Sequence, residues 1–139
     1  MTDEPRASST RRFAFSAAHR YWVDEWPRGE NERFFGRLTV PHGHNYTLDV
    51  TVRGPIDPQT GMVIDLAELK RIVGETVVDR FDHADLNADA LFRGRVPTTE
   101  NIAIAVWDLL VPKLGADRLW QVRVWEDPTL FVDYRGPDA

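Results

Sequence analysis

The chain has four histidines in 139 residues, and two of them fall in one short stretch, VPHGHNY, from Val40 to Tyr46. Strand side chains repeat every two residues, so His42 and His44 would project from one face, about 7 Å apart along the strand. Two imidazoles at that spacing can share one metal ion. Gly43 between them lets a backbone or a ligand come close. A catalytic zinc site takes three protein ligands and keeps a fourth position open, so the pair calls for a third ligand. His19 answers it. It ends the alternating segment Arg12 to His19 on the face shared by Phe13, Phe15 and Ala17. Pairing of the two segments would bring three rings together. The same residues also suit a plainer role, as polar groups closing the ends of two strands.

Two further groups stand out. His83 lies in FDHADLN, between Asp82 and Asp85. A carboxylate beside an imidazole fixes its tautomer and raises its pKa, as general acid–base chemistry needs. A cationic ring there would equally complement the negative end of the preceding helix. Glu126 ends the face of Trp120, Val122 and Val124 in LWQVRVWED. A carboxylate at that point is either exposed at a rim or partnered, because a buried one needs donors. The parallel N–H groups of an amidine-like heterocycle edge would serve.

These groups need a frame. Residues 1–10 read as a disordered tail, and residues 11–139 as one domain. Residues 12–19 and 42–53 alternate as strands. The connection from Tyr21 to Arg37 reads as a loop with at most a helical turn, and loops of this length are commonly functional. Gly54 to Gly61 has turn composition. Asp65 caps a helix running to about Arg80, with Leu66, Leu69, Ile72, Val73, Val77 and Phe81 as its buried stripe. Residues 81–97 look irregular. Thr98 or Thr99 caps a second helix that ends at Gly115. Leu119 to Glu126 and Thr129 to Arg135 form a closing hairpin across EDPT. The order ββααββ predicts an α+β fold: a four-stranded antiparallel sheet with both helices on one face.

Composition narrows the function. A net charge of −5 disfavours nucleic acid and anionic membranes as partners. The absence of cysteine removes disulfides, thiolate ligands and thiol nucleophiles. No apolar run approaches the ~20 residues of a membrane span. The first ten residues lack the apolar stretch of an export signal, so the expected compartment is the cytoplasm.

The segments FSAAH, FFGR, HGHNY, DLAELK, FDHADLN, PTTEN and VRVWED, in this order and spacing, closely resemble the 6-pyruvoyl-tetrahydropterin synthase and 6-carboxy-tetrahydropterin synthase family. The resemblance runs from about Arg12 to Tyr134. It implies the tunnelling fold, with ββααββ subunits forming trimers around a barrel. Two trimers stack into a homo-hexamer with sites at subunit interfaces. It implies that His19, His42 and His44 bind Zn2+, that Glu126 anchors a pterin ring, that His83 with Asp82 belongs to a proton relay, and that Thr98 and Thr99 line the pterin pocket. The implied substrate is 7,8-dihydroneopterin triphosphate, which loses triphosphate to leave a pyruvoyl pterin or undergoes carbon–carbon cleavage.

One departure bears on the chemistry. The family usually carries a proton-accepting cysteine shortly before the H-x-H pair, and some relatives carry a glutamate. Here that position is Leu38, followed by Thr39, Val40 and Pro41. His83 is one substitute. Acids of the long connection (Asp24, Glu25, Glu30 or Glu32) are others, though each also suits a solvated loop. Two different readings follow from the same departure: a relative with altered chemistry, such as an aldolase-type or other carbonyl reaction, and a non-catalytic pterin- or purine-binding homologue. Arg12, Arg20, Arg33, Arg37 and Lys70 are candidates for holding a triphosphate.

Overall fold

A computed structural model describes residues 4–139, so the first three residues of the expected tail lie outside the described residues. The rest of that tail is largely structured. β1 (Arg6–His19) and β2 (His42–Pro55) form a long antiparallel pair, matched residue for residue from Arg6 opposite Pro55 to His19 opposite His42. The segment Arg6 to Thr10 shows no apolar face. It nevertheless finds a full partner strand, and backbone pairing needs no apolar side chains. The Thr10 and Thr51 hydroxyls meet at 2.7 Å across this stretch.

β4 (Leu119–Asp127) joins the other side of β2, and β5 (Leu130–Tyr134) closes the hairpin, both antiparallel. A two-residue strand, β3 (Ala84–Asp85), pairs parallel with β1 at Ala17 and Ala18. The sheet is therefore five-stranded and mixed, in the order β3-β1-β2-β4-β5. It is not the four-stranded antiparallel sheet expected. Two residues carry no periodicity, which is why β3 does not register as a strand in the sequence.

A helical stretch in three parts follows β2. Asp65 accepts a bond from the Ala67 amide and starts α2 (Leu66–Val73). The backbone then widens into a π turn over Gly74–Val78 and returns to α3 (Asp79–Phe81). In the wider turn, residues four apart stay nearly in line, and Val73, Val77 and Phe81 are all fully buried. Leu66, expected in that stripe, is instead 44% exposed. It sits beside the cap, before the face that turns inward. α4 (Thr99–Leu114) is capped by Thr98, whose hydroxyl accepts from the Asn101 amide at 3.1 Å. Both helical layers cover one face of the sheet, where Phe15, Tyr46, Leu48, Val50, Val122 and Val124 meet Leu69, Val73, Ile102, Val106 and Leu110.

The opposite face is polar. Arg12 grips Asp49 with two bonds, at 2.8 and 3.1 Å, and the Trp125 indole donates to the same carboxylate at 3.0 Å. Burial alone would raise the Asp49 pKa, but these donors outweigh it and hold the carboxyl below its ordinary range.

The long connection after His19 holds α1 (Arg28–Phe35) rather than a bare loop. Asn31 is fully buried within it. Its side chain accepts from the Val23 amide at 2.8 Å and donates to the Val23 carbonyl at 3.0 Å. At its two ends the connection is tied together by a 2.8 Å bond from the Tyr21 amide to the Leu38 carbonyl. These ties place the connection as a wall beside the strand ends.

Candidate metal centre

The inward faces of β1 and β2 end in histidine. His19 and His42 are register partners, and His44 lies one inward step further along β2, opposite Ala17. The small Ala17 side chain leaves room for the ring. The result is a cluster in which one ligand atom from each of His19, His42 and His44 lies within 4.8 Å of the others. The ring centroids are 4.6, 5.1 and 5.2 Å apart.

The second nitrogens decide what the cluster can do. His19 Nδ1 lies 2.8 Å from the Pro97 carbonyl, and His42 Nδ1 lies 2.8 Å from the Val40 carbonyl. A carbonyl only accepts, so these Nδ1 atoms carry the hydrogen and each Nε2 presents a lone pair. Holding the distal nitrogen this way is how proteins orient metal-ligating imidazoles. Burial, the largest influence, pushes the His19 pKa below the ordinary imidazole value, which keeps the ring neutral and ready to ligate. The Nε2 atoms of His19 and His44 are buried with no hydrogen-bond partner among the described residues. Buried polar atoms without partners are uncommon and call for an explanation. A metal ion bound by three imidazoles is one that fits both the donors and their orientation.

Glu126 stands directly over the cluster. Its Oε1 is 3.6 Å from His44 Nε2 and 4.0 Å from His19 Nε2. The same oxygen accepts long bonds from the Thr99 hydroxyl at 3.3 Å and the Tyr21 hydroxyl at 3.5 Å. So β4 delivers the carboxylate, the first turn of α4 delivers Thr99, and the connection after β1 delivers Tyr21. Thr98 is engaged in its cap.

Three contributors are absent from the sequence expectations. Tyr46 is fully buried, with its hydroxyl 3.3 Å from His19 Nδ1. It continues the inward face of His42 and His44, so alternation alone could have placed it. Pro97 supplies only a backbone carbonyl, which no residue type announces. Tyr21 lies past the end of β1, where alternation no longer applies. Its ring stands edge-on to His19 at 5.2 Å. Burial, followed by the negative charges of Glu126 and Glu100, pushes its pKa up to about 12, so the phenol keeps its proton at neutral pH.

His83 and Asp82 are not brought to this cluster. They are joined to each other at 3.1 Å, and the His83 side chain is 84% exposed. His83 opens onto a groove lined by Ser16, Ala17, Ala18, Gly43, His44 and Asn45; the side chains of Ser16, Ala18 and Asn45 project from the face opposite the three histidines. Its backbone is left-handed, with φ of 62°. Two bonds to Ser16 hold it there: the His83 amide donates to the Ser16 carbonyl, and the Ser16 amide donates to Asp82 at 2.8 Å. The latter bond is the main reason the Asp82 pKa is lowered.

The other proposed substitutes for a missing thiol are also apart. Asp24, Glu25, Glu30 and Glu32 are all exposed, and Glu32 faces Arg28 at 3.8 Å. Leu38 lies beside His42 and is 41% exposed. Of the candidate phosphate-binding cations, Arg12 is engaged by Asp49 on the polar face. Arg20 stacks on Trp22 at 4.5 Å beside a cavity of about 400 Å³ that also includes Arg93 and Arg95. Arg33, Arg37 and Lys70 are exposed.

Comparison with known proteins agrees with this geometry. Residues 8–137 match the family model described as 6-pyruvoyl tetrahydropterin synthase. The chain is 42% identical over 134 residues to the human 6-pyruvoyl tetrahydrobiopterin synthase, covering 94% of this chain and 92% of that protein. It is 40% identical over 141 residues to the Drosophila melanogaster protein of the same name, covering 99% and 84%. The solved structure of Caenorhabditis elegans 6-pyruvoyl tetrahydropterin synthase superposes with a TM-score of 0.92 at 36% identity, covering 98% of this chain and 99% of that one. With its fold and nearly its whole length matched, this chain belongs to the 6-pyruvoyl tetrahydropterin synthase family of lyases.

Proposed function

We propose that the protein is a zinc-dependent lyase acting on 7,8-dihydroneopterin triphosphate or a closely related dihydropterin. The observation that carries this reading is the convergence of three imidazoles: His19 and His42 have their outer nitrogens engaged by carbonyls, and His19 and His44 have buried Nε2 atoms without a partner among the described residues. Three neutral nitrogens with no thiolate suit zinc with a position left for substrate. Bound there, zinc supplies Lewis acidity that polarises an oxygen and acidifies the adjoining C–H and O–H groups.

The residues of this chain do the rest. Glu126 has Oε1 turned to the imidazoles and to the hydroxyls of Thr99 and Tyr21. An amidine-like ring edge would need both carboxylate oxygens presented side by side. We therefore assign Glu126 to the reacting end of the substrate, where it accepts a proton or a hydrogen bond. Thr99 holds it in place, and Thr98 fixes the helix that carries Thr99. Tyr21 packs on Phe35 beside the cluster, and Tyr46 backs it from the core.

The test is direct. Zinc-loaded protein given 7,8-dihydroneopterin triphosphate is expected to release inorganic triphosphate and form a new pterin, identified by mass spectrometry. Neither product appearing would end the lyase reading.

The position of His83 extends the reading to assembly. An exposed imidazole–carboxylate pair on the wrong face for its own metal pocket can serve the pocket of another copy. We propose a homo-oligomer, a hexamer built as a dimer of trimers, with sites shared between subunits. The expected result is complementation. His42→Ala and His83→Ala are each expected to lose 100-fold or more in turnover, the latter with its metal intact. Co-expressed, they regain activity in mixed oligomers, up to about a quarter of wild-type sites with random equal mixing. No recovery in demonstrably mixed oligomers would confine each site to one chain.

A further inference from the structure

We infer that the Tyr21 hydroxyl is a substrate-contacting group of the metal pocket, donating a hydrogen bond to an oxygen of the substrate's hydroxylated side chain. This rests on the pterin lyase reading above and adds a residue to it.

The placement of the phenol argues for a contact. Its ring stands edge-on to His19, with centroids 5.2 Å apart and planes at 84°, and lies 6.4 Å from the ring of His42. Its oxygen addresses the same Glu126 oxygen that faces His19 Nε2 and His44 Nε2. A ligand atom held over those nitrogens thus lies close to the phenol. In the pterin reading, the atoms held there are the side-chain oxygens rather than the ring.

Other hydroxyls of the pocket are less available. Tyr46 is fully buried behind the histidines, with its oxygen beside His19 Nδ1. Thr99 is buried at the helix start. Tyr21 is only half-buried, so its oxygen can be reached. Its bond to Glu126, at 3.5 Å, is at the outer limit of hydrogen bonding. Exchanging so long a bond for a good one to substrate is favourable.

The ring is also held firmly enough to act. Phe35 packs on it edge-to-face at 5.7 Å, and its backbone is tied to Leu38 by a 2.8 Å bond. A contacting group placed by packing keeps its geometry when substrate arrives. Of the joined pair, Leu38 brings no donor or acceptor in its side chain. Tyr21 is therefore the polar member of this wall, and the exposed acids of the connection do not compete with it.

The test is Tyr21→Phe, which removes one oxygen and retains the ring packing. Two ligands are titrated by fluorescence into the metal-loaded protein: 7,8-dihydroneopterin, with its hydroxylated side chain, and 7,8-dihydropterin, which lacks it. The expected result is about a 10-fold loss of affinity for the first, on the scale of one hydrogen bond, with the second within about 2-fold and metal content unchanged. Equal weakening of both ligands would mean that Tyr21 acts only through Glu126, and would overturn the proposal. So would no change in either. Wild-type protein that binds neither pterin would instead overturn the pterin reading, and this proposal with it; that outcome is visible before any variant is made.

Discussion

His42→Ala is expected to empty the metal centre. Wild-type protein should hold one zinc per chain by elemental analysis, and the variant close to none, with turnover at background. Three protein ligands are the least that such a catalytic site uses, so the loss of one is not a graded change. The remaining pair, His19 and His44, would still offer two ring nitrogens close together, but a two-ligand site exchanges metal readily. A second readout does not depend on activity. Metal that binds only the native state stabilises it by about 2.7 kcal/mol at a free concentration 100 times its Kd. For a domain of this size that is on the order of a 10 °C rise in melting temperature. Wild-type protein should show this rise on adding zinc to the metal-free form, and His42→Ala should not. His42 ends its strand and is only half-buried, so the metal-free variant should melt close to the metal-free wild type. Full zinc occupancy in the variant would contradict the ligand assignment.

The three-histidine cluster is legible in the sequence because alternation is a reliable geometric rule inside a strand. His42 and His44 share parity with Tyr46, Leu48 and Val50, all fully buried, and His19 shares parity with Phe15. One further step, the pairing of β1 with β2, turns two local patterns into a three-dimensional site. Glu126 was reached in the same way, from the face of Val122 and Val124. The helix start at Thr98 was legible because caps have their own side-chain chemistry.

What sequence pattern missed lies where no periodic rule operates. Tyr21 sits in a connection whose course is fixed by the buried side chain of Asn31 and by a backbone bond to Leu38. Those ties are made by particular atoms rather than by a pattern. Pro97 contributes a carbonyl that any residue has. β3 is too short to alternate, yet its pairing with β1 fixes the place of His83, apart from the three-histidine cluster. The departure of Arg6 to Thr10 from a disordered tail has the same origin in reverse. A polar segment without an apolar face reads as free, whereas a continuous partner strand satisfies its backbone.

Glu126→Gln is the variant expected to separate chemistry from binding. The substitution keeps shape and leaves an amide oxygen to accept from Thr99 and Tyr21, so the pocket wall should stand. It removes the negative charge that faces His19 Nε2 and His44 Nε2 at 4.0 and 3.6 Å. An amide cannot take a proton. If Glu126 serves the reacting end, turnover should fall about 100-fold, the lower end of what a positioned acid–base group contributes. Zinc content should be unchanged, since the three imidazole ligands are intact. Affinity for 7,8-dihydropterin, which offers only the ring, should stay within about 3-fold, because the ring edge is not where the charge was lost. The opposite pattern, a large loss of ring affinity with turnover at saturation nearly preserved, would give Glu126 the ring-anchoring role implied by family resemblance. These patterns cannot both arise from one position of the carboxylate. The distances to the imidazole nitrogens favour the first, because the carboxylate is already turned toward two of the clustered imidazoles.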